Sequence, residues 1–273
     1  MEPLQYEERG YLHEDFRLFH LADDVHGAFP YHYHTFHKVI MVLAGRTEYA
    51  VEGERYALSG GDLVLVGRGN IHRPMMAEGE FYERVVFYLS PTYLQKLALP
   101  QEDPEQCFRL AQERFRYVYR AGEHDGVQEL FAKLEEALAD EGFGATLRAN
   151  ALCTELLVAI NRVVLRGEGG QGQGEKKVLD ILHYINTHLT EPLSIDELAA
   201  RFYISKYHMM RRFREETGYT VHHYITEKRM LLAQQLLQQG VPLLQAAEQC
   251  GYQDYSTFSR AYKKQFGHTP SGR

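Results

Sequence analysis

The chain has 273 residues, 44% of them hydrophobic and 25% charged, and a formal net charge of −7. At roughly 150 residues per domain, that length accommodates two domains with sizeable cores, and no apolar run reaches the roughly 18 uncharged residues of a membrane span. Cys107, Cys153 and Cys250 lie far apart without a C-x-x-C pair, which argues against a disulfide framework or zinc knuckle. With the acidic stretch MEPLQYEERGYLHEDF, which lacks signal-peptide order, this predicts a cytoplasmic protein with no membrane partner.

In chain order, the segments KVIMVLAG, RTEYAVEG, ERYALSGGD, LVLVGRGN and YERVVFYLS, within residues 29–90, read as short strands. They are β-branched and aromatic, with Gly or Asn roughly every 8–12 residues, the rhythm of an antiparallel sandwich or small barrel. In FPYHYHTFHKVIMVLAG, His32 and His34 are two apart and share one face of an extended strand; Lys38 follows, and His72 lies further on. The aromatics Tyr31, Tyr33, Phe36, Tyr49, Tyr56, Phe81, Tyr82 and Phe87 are expected to be mainly barrel core or surface. From Pro91 the apolar spacing becomes three and four, predicting helices over 91–99, about 104–120, 126–140 and 145–166. In the last of these, the stripe Leu147, Leu152, Leu156, Leu157, Ile160 and Val164 fits either packing on the barrel or a homodimer surface.

GEGGQGQG, from Gly167 to Gly174, has no apolar anchor and the composition of a flexible linker. The predicted organisation is therefore α+β: a barrel with its following helices over 1–166, a linker over 167–174, and an all-helical domain over 175–273. Residues 1–174 carry 17 basic and 27 acidic side chains, a balance of −10, whereas residues 175–273 carry 13 and 10, a balance of +3. This asymmetry points the C-terminal part toward a polyanion.

PLSIDELAARFYISKYHMMRRFREETG opens with a capping box, Ser194 and Glu197, which starts a helix over Ile195 to Arg201. A turn over Phe202 to Ile204 leads to Ser205, an N-cap for a second helix running to Glu216 with Met209 and Phe213 on its buried face. Tyr207, His208, Met210, Arg211 and Arg214 project away, the arrangement of a helix that reads the major groove. VPLLQAAEQCGYQDYSTFSRAYKKQFG repeats the unit with Ala247 in place of Ala199, a turn at Gly251–Tyr252, Asp254 as N-cap, and buried Phe258 and Tyr262. Between them, YTVHHYITEKRMLLAQQLLQQG reads as an amphipathic rod near 30 Å long, close to the roughly 34 Å between successive major-groove entries.

These residues resemble the AraC/XylS family of bacterial transcription regulators. The resemblance covers Val178 to the end and is densest in GYQDYSTFSRAYKKQFGHTP; Leu198-Ala199, Ser205, Met209, Phe213, Gly218, Arg229, Ala233 and Leu236-Leu237 also match. It implies a sequence-specific regulator of transcription, an activator, with duplex DNA and RNA polymerase as partners and a homodimer as the assembly. By analogy the base readers are Tyr207, Met210 and Arg211 in the first unit, and Ser256 and Arg260 in the second. The wider contact set takes in Ser205, Lys206, His208, Arg214, Tyr255, Thr257, Ser259 and Lys263. Physically, Arg211 and Arg260 suit bidentate contacts to guanine, whereas Lys206, Arg214, Lys263 and Lys264 suit phosphates. The extreme end departs from the family, since Ser271, Gly272 and Arg273 stand where an aromatic-Arg pair is usual.

The histidine-rich segment resembles the two cupin motifs. His32, His34 and Gly45 fit the first, but Lys38 stands at its acidic position; Gly61, Gly69 and His72 fit the second, with Gly67 in place of proline. The resemblance implies an effector-sensing barrel. Three roles for His32, His34, Lys38 and His72 stand side by side: a pocket for a small anionic or hydroxylated effector such as a sugar, a divalent-metal site on His32, His34 and His72 with His37 or water added, or hydrogen-bonded structure. No cofactor is required by the first and third. An enzyme of the cupin class is disfavoured by Lys38, which offers no lone pair to a metal when charged, and no catalytic constellation is apparent. A purely structural DNA-binding protein would leave the N-terminal part idle.

Overall fold

The computed structural model describes residues 12–23, 27–76, 81–121, 125–167, 169–170 and 172–272. The chain divides into two compact units, Met1–Gln173 and Gly174–Arg273. In the first, strands β1 (Phe16–Asp23), β2 (Gly27–Ala28), β3 (His37–Val51), β4 (Glu54–Ser59), β5 (Asp62–Val66), β6 (His72–Met76) and β7 (Tyr82–Leu89) precede helices α1 (Pro91–Leu97) and α2 (Gln106–Glu113). Strand β8 (Val118–Arg120) and helices α3 (Val127–Ala139) and α4 (Ala145–Arg166) complete the unit.

The long strand β3 organises the sheet. Its first part pairs with β7 and β5 in the order β1-β7-β3-β5-β8, and its second part pairs with β4 and β6, every pairing antiparallel. KVIMVLAG and RTEYAVEG, read from the sequence as two strands, are thus one. The register slips between Val42 and Ala44, and Gly45, at φ +87°, bends the strand where any Cβ would sit 1.9 Å from the Phe81 carbonyl oxygen. One strand can then serve two layers. Glu52 and Gly53, both at positive φ, close the two-residue hairpin into β4.

The predicted helix over 104–120 is also corrected. Phe115 takes φ 49°, α2 stops at Glu113, and Val118–Arg120 pairs with β5. Helices α3 and α4 cover the sheet, and Leu156, Leu157, Ile160 and Val164 are buried in that core, as are Leu130, Phe131 and Leu134. The α4 stripe is therefore used within the unit, each such side chain contributing about 1.5–3 kcal/mol; of the six residues only Leu147 is exposed, and Leu152 is half-buried. Cys107, Cys153 and Cys250 are buried and form no disulfide.

Part of the glycine-rich segment lies against the barrel, unlike a flexible linker. Arg55 and Gln173 exchange backbone hydrogen bonds of 2.9 and 2.8 Å, and a Cβ on Gly172 would meet a Glu54 carboxylate oxygen at 1.7 Å. The missing side chain is what admits the backbone there.

In the second unit, α5 (Lys176–Thr187), α6 (Ile195–Arg201) and α7 (Lys206–Thr217) precede the connecting helix α8 (Val221–Gln238), followed by α9 (Leu243–Gln249) and α10 (Tyr255–Phe266). The two halves have separate anchors. Met209 and Phe213 are fully buried, Phe213 meeting Tyr224 edge to face at 5.6 Å. Met230, Ala233, Ala247, Cys250, Phe258 and Tyr262 form the other core. At 18 residues, α8 is about 27 Å long.

Candidate functional site

Each reading helix starts from a side-chain cap. Ser194 and Glu197 form the reciprocal capping box of α6, Ser205 accepts from the His208 amide at the start of α7, and Asp254 accepts from the Thr257 amide at the start of α10. These bonds satisfy amides that a helix N-terminus leaves without intrahelical partners. The preceding turns differ in their left-handed residue: Tyr203 at φ 50° before α7 and Gly251 at φ 78° before α10. Glycine takes that region without strain and tyrosine does not.

On α7, Lys206, Tyr207, His208, Met210, Arg211 and Arg214 are all exposed, with Tyr207 at 75%. On α10, Ser256, Thr257, Arg260 and Lys263 are exposed, and Tyr255 and Ser259 are half-buried. Several are already engaged. The hydroxyls of Ser205 and Thr257 are used at the caps, Tyr255 packs against Phe258, and Lys206 pairs with Asp196. The Arg260 guanidinium is drawn along its helix by bonds to the Ser256 carbonyl and the Thr257 hydroxyl, each 3.3 Å.

Two arginines carry structure that the sequence did not disclose. Arg212 bonds Glu175 at 2.5 Å and Glu215 at 2.7 Å, joining α7 to the start of α5. Arg229 of α8 donates to the carbonyls of Leu189, Glu191 and Gly251 at 2.9, 2.7 and 3.3 Å. It thereby ties the loop before α6 to the turn before α10.

In the first unit, His32, His34 and His72 come together. His32 and His72 exchange backbone hydrogen bonds of 3.1 and 2.9 Å, and the three side chains place ligand atoms within 4.8 Å of one another, all buried. His32 Nδ1 donates to the Pro30 carbonyl at 3.0 Å and His72 Nδ1 to the Asn70 carbonyl at 2.9 Å. Burial, with the neighbouring Lys38, holds His72 well below the usual histidine range. The loop that delivers His72 is built by Glu52, whose carboxylate accepts from the Ile71 amide at 2.8 Å, and by Asn70, whose side-chain Oδ1 accepts from the Gly67 amide at 2.8 Å. His37, weighed as a further ligand, turns elsewhere: its Nδ1 accepts from the Arg68 amide and its Nε2 pairs with Glu105 at 3.0 Å.

Beside this cluster lies a cavity of about 350 Å³ whose lining includes His32, Lys38, Tyr49, Tyr82, Arg84 and Tyr88. Two cationic side chains and no carboxylate face it among the described residues. Lys38 donates to the Tyr49 hydroxyl at 3.2 Å, and burial, reinforced by Arg84, pushes its ammonium down to about 7. Of the aromatics singled out in the sequence, Tyr49 and Tyr82 reach the cavity. Tyr31, Tyr33, Phe36, Tyr56 and Phe87 are buried, and Phe81 is exposed.

Comparison with known proteins gives two family models. Residues 18–157 match the AraC-like ligand binding domain, and residues 198–272 match a helix-turn-helix domain. The HTH-type transcriptional activator RhaS of Escherichia fergusonii is 27% identical over 248 residues, covering 89% of this chain and 87% of that protein. RhaS of Citrobacter koseri is 26% identical over 252 residues, covering 89% and 86%. Among solved structures, the C-terminal domain of AraT, a response regulator from Geobacillus stearothermophilus, is 30% identical over 35% of this chain and 81% of that chain, with a TM-score of 0.34. ToxT of Vibrio cholerae with a bound unsaturated fatty acid is 14% identical over 95% and 96%, with a TM-score of 0.39. No helix among the described residues is long and apolar enough to cross a membrane.

Proposed function

The chain belongs to the AraC family, with a ligand-binding domain followed by a helix-turn-helix domain, and on that premise we propose how its own residues divide the work of a DNA-binding transcription regulator. The observation that carries the reading is the repeat of a side-chain-capped helix, α7 and α10, each presenting a polar and basic face beyond a buried aromatic anchor. Arg211 and Arg260 read guanine edges, Met210 favours a thymine methyl, and Tyr207 and Ser256 complete the base contacts. Arg214, Lys263 and Lys264 hold phosphates. The rod of α8 suits two boxes one helical turn apart.

The cavity takes a small hydroxylated effector of negative charge, of the sugar-acid kind. Lys38 and Arg84 supply the charge complement, and Tyr49, Tyr82 and Tyr88 supply hydroxyls and ring faces. Effector binding shifts a two-state equilibrium only through unequal affinity for the two states, and the outcome is activation through RNA polymerase. The working form is a cytoplasmic homodimer. What supports the dimer is the outer face of α4, where Leu147, Val158 and Leu165 are exposed at 75, 45 and 51%; doubling the chain places four helix-turn-helix units on one operator and raises avidity.

Selection of the full chain on a randomised duplex pool tests this, with an Arg211→Ala, Arg260→Ala double variant as control. Two short boxes about one turn apart, lost in the variant, are expected. Sequence-blind binding, equal in both proteins, would overturn the assignment.

A further inference from the structure

We propose that His32, His34 and His72 form a three-nitrogen site for a divalent transition-metal ion of the zinc class in the wall of the effector cavity. Their ligand atoms lie within 4.8 Å of one another, and the residues are 7, 4 and 0% exposed. Around a tetrahedral ion with metal–nitrogen bonds near 2.05 Å, two nitrogens stand about 3.4 Å apart. Small ring rotations therefore bring the set to bonding distance.

The surroundings of the rings point to the same use. Carbonyl oxygens of Pro30 and Asn70 take the Nδ1 protons of His32 and His72, which fixes the tautomer that carries the ring lone pair on Nε2. An imidazole oriented through one nitrogen by a backbone carbonyl, with the other presented inward, is the outer-shell pattern of metal-ligating histidine. The Nε2 of His72 is buried with no hydrogen-bond partner. A lone pair withdrawn from water without a donor is costly, and an ion at the centre of the cluster satisfies it. The reciprocal backbone bonds between His32 and His72 fix their spacing before any ion arrives.

The donor set selects the ion. Three imidazoles without a carboxylate suit zinc, copper, nickel or cobalt and not magnesium or calcium. Lys38, at the position where the cupin motif has an acid, directs its amine to the Tyr49 hydroxyl and supplies no ligand. Three protein ligands leave a position open, and His32 also lines the cavity, so an oxygen of the effector completes the coordination. That last assignment rests on the effector reading; the ion site itself does not.

The test uses the full chain, stripped with a chelator and titrated with Co²⁺ and, separately, Zn²⁺ under equilibrium dialysis. Saturable uptake of one ion per chain is expected, with the visible absorption of four- or five-coordinate Co²⁺ perturbed by azide at the open position. His34→Ala and His72→Ala should each weaken uptake by more than about 100-fold, whereas Lys38→Met should retain it, with circular dichroism reporting the fold of each. The proton spectrum of the wild-type Co²⁺ form gives a check that needs no variant: two exchangeable imidazole N–H signals should be strongly shifted. Absent uptake, uptake unchanged in folded His34→Ala and His72→Ala, or bound Co²⁺ without shifted imidazole signals would each overturn the site, and an azide-silent spectrum would overturn the open position. Operator binding by the stripped chain is measured in parallel, so that failure here is distinguishable from failure of the regulator reading.

Discussion

Replacing Arg229 by methionine should destabilise the second unit without touching a residue assigned to DNA. The guanidinium makes three bonds to backbone carbonyls, at 2.9 Å to Leu189, 2.7 Å to Glu191 and 3.3 Å to Gly251. A hydrogen bond to a charged group is worth about 1.5–3 kcal/mol where it is sheltered, so three would total about 5–9 kcal/mol. The residue is only half-buried, however, and the bond to Gly251 is long, so water recovers much of that on truncation. About 3 kcal/mol is the expected cost. At about 4–8 °C per kcal/mol for a unit of this size, the melting temperature falls by more than 10 °C. Arg229→Lys should recover only part of the loss, since one ammonium cannot span three carbonyls in the same fork. Hydrogen exchange on the full chain localises the effect: amides around 189–191 and 250–252 should lose protection first, while those of the barrel should not change. A shift in stability below about 1 kcal/mol, or equal loss of protection in both units, would refute the clamp.

Four further outcomes follow from the same contacts. Arg211→Ala should cost about 1–3 kcal/mol at one base position, 5- to 150-fold in affinity, and relax specificity there, whereas Lys263→Ala should weaken all sequences alike and reduce the salt slope by about 0.9; anisotropy titrations at several salt concentrations separate the two. Lys38→Met should abolish binding of an anionic effector. In the wild type, because the free amine titrates at about 7 and an anion raises that value, calorimetry should show proton uptake and affinity falling up to tenfold per unit above pH 7. His37 is held below its ordinary value of 6.5, chiefly by burial. The unfolded chain therefore binds the extra proton, and stability should decline as pH falls below 6.5, by up to about 1.4 kcal/mol per unit, in denaturant titrations; the slope should shrink in His37→Gln. Ser194→Ala removes one half of the α6 capping box and should cost about 1 kcal/mol in the same assay.

The reading helices were legible because their signals are local. Ser194, Glu197, Ser205 and Asp254 announce helix starts within four residues, and the buried positions of each second helix follow the period of the helix itself. The paired histidines were legible for a similar reason: the alternation expected of an extended segment puts His32 and His34 together, although no regular strand forms over them and His32 makes only an isolated bridge to His72. What was not legible depends on partners distant in sequence. Phe108, Ala111, Phe115 and Val118 have helical spacing, yet the left-handed Phe115 and the waiting edge of β5 turn the end of that segment into a strand. Gly45 looks like a turn and is a bend in one strand. Glu52, Asn70 and Arg229 act through contacts made across the fold, and no short pattern marks them. The α4 stripe suited a partner chain or the barrel equally until its neighbours were known.

The three buried thiols have a practical consequence. Cys107, Cys153 and Cys250 are each pushed up to about 12 by burial. At pH 8 only about one in ten thousand of each is thiolate, the form that alkylating reagents and peroxide attack. The native thiols should therefore resist oxidation and decline maleimide dyes. A cysteine placed on an exposed position of each unit would then be the sole point of labelling, and the distance between a donor and an acceptor dye could be followed directly as effector is added.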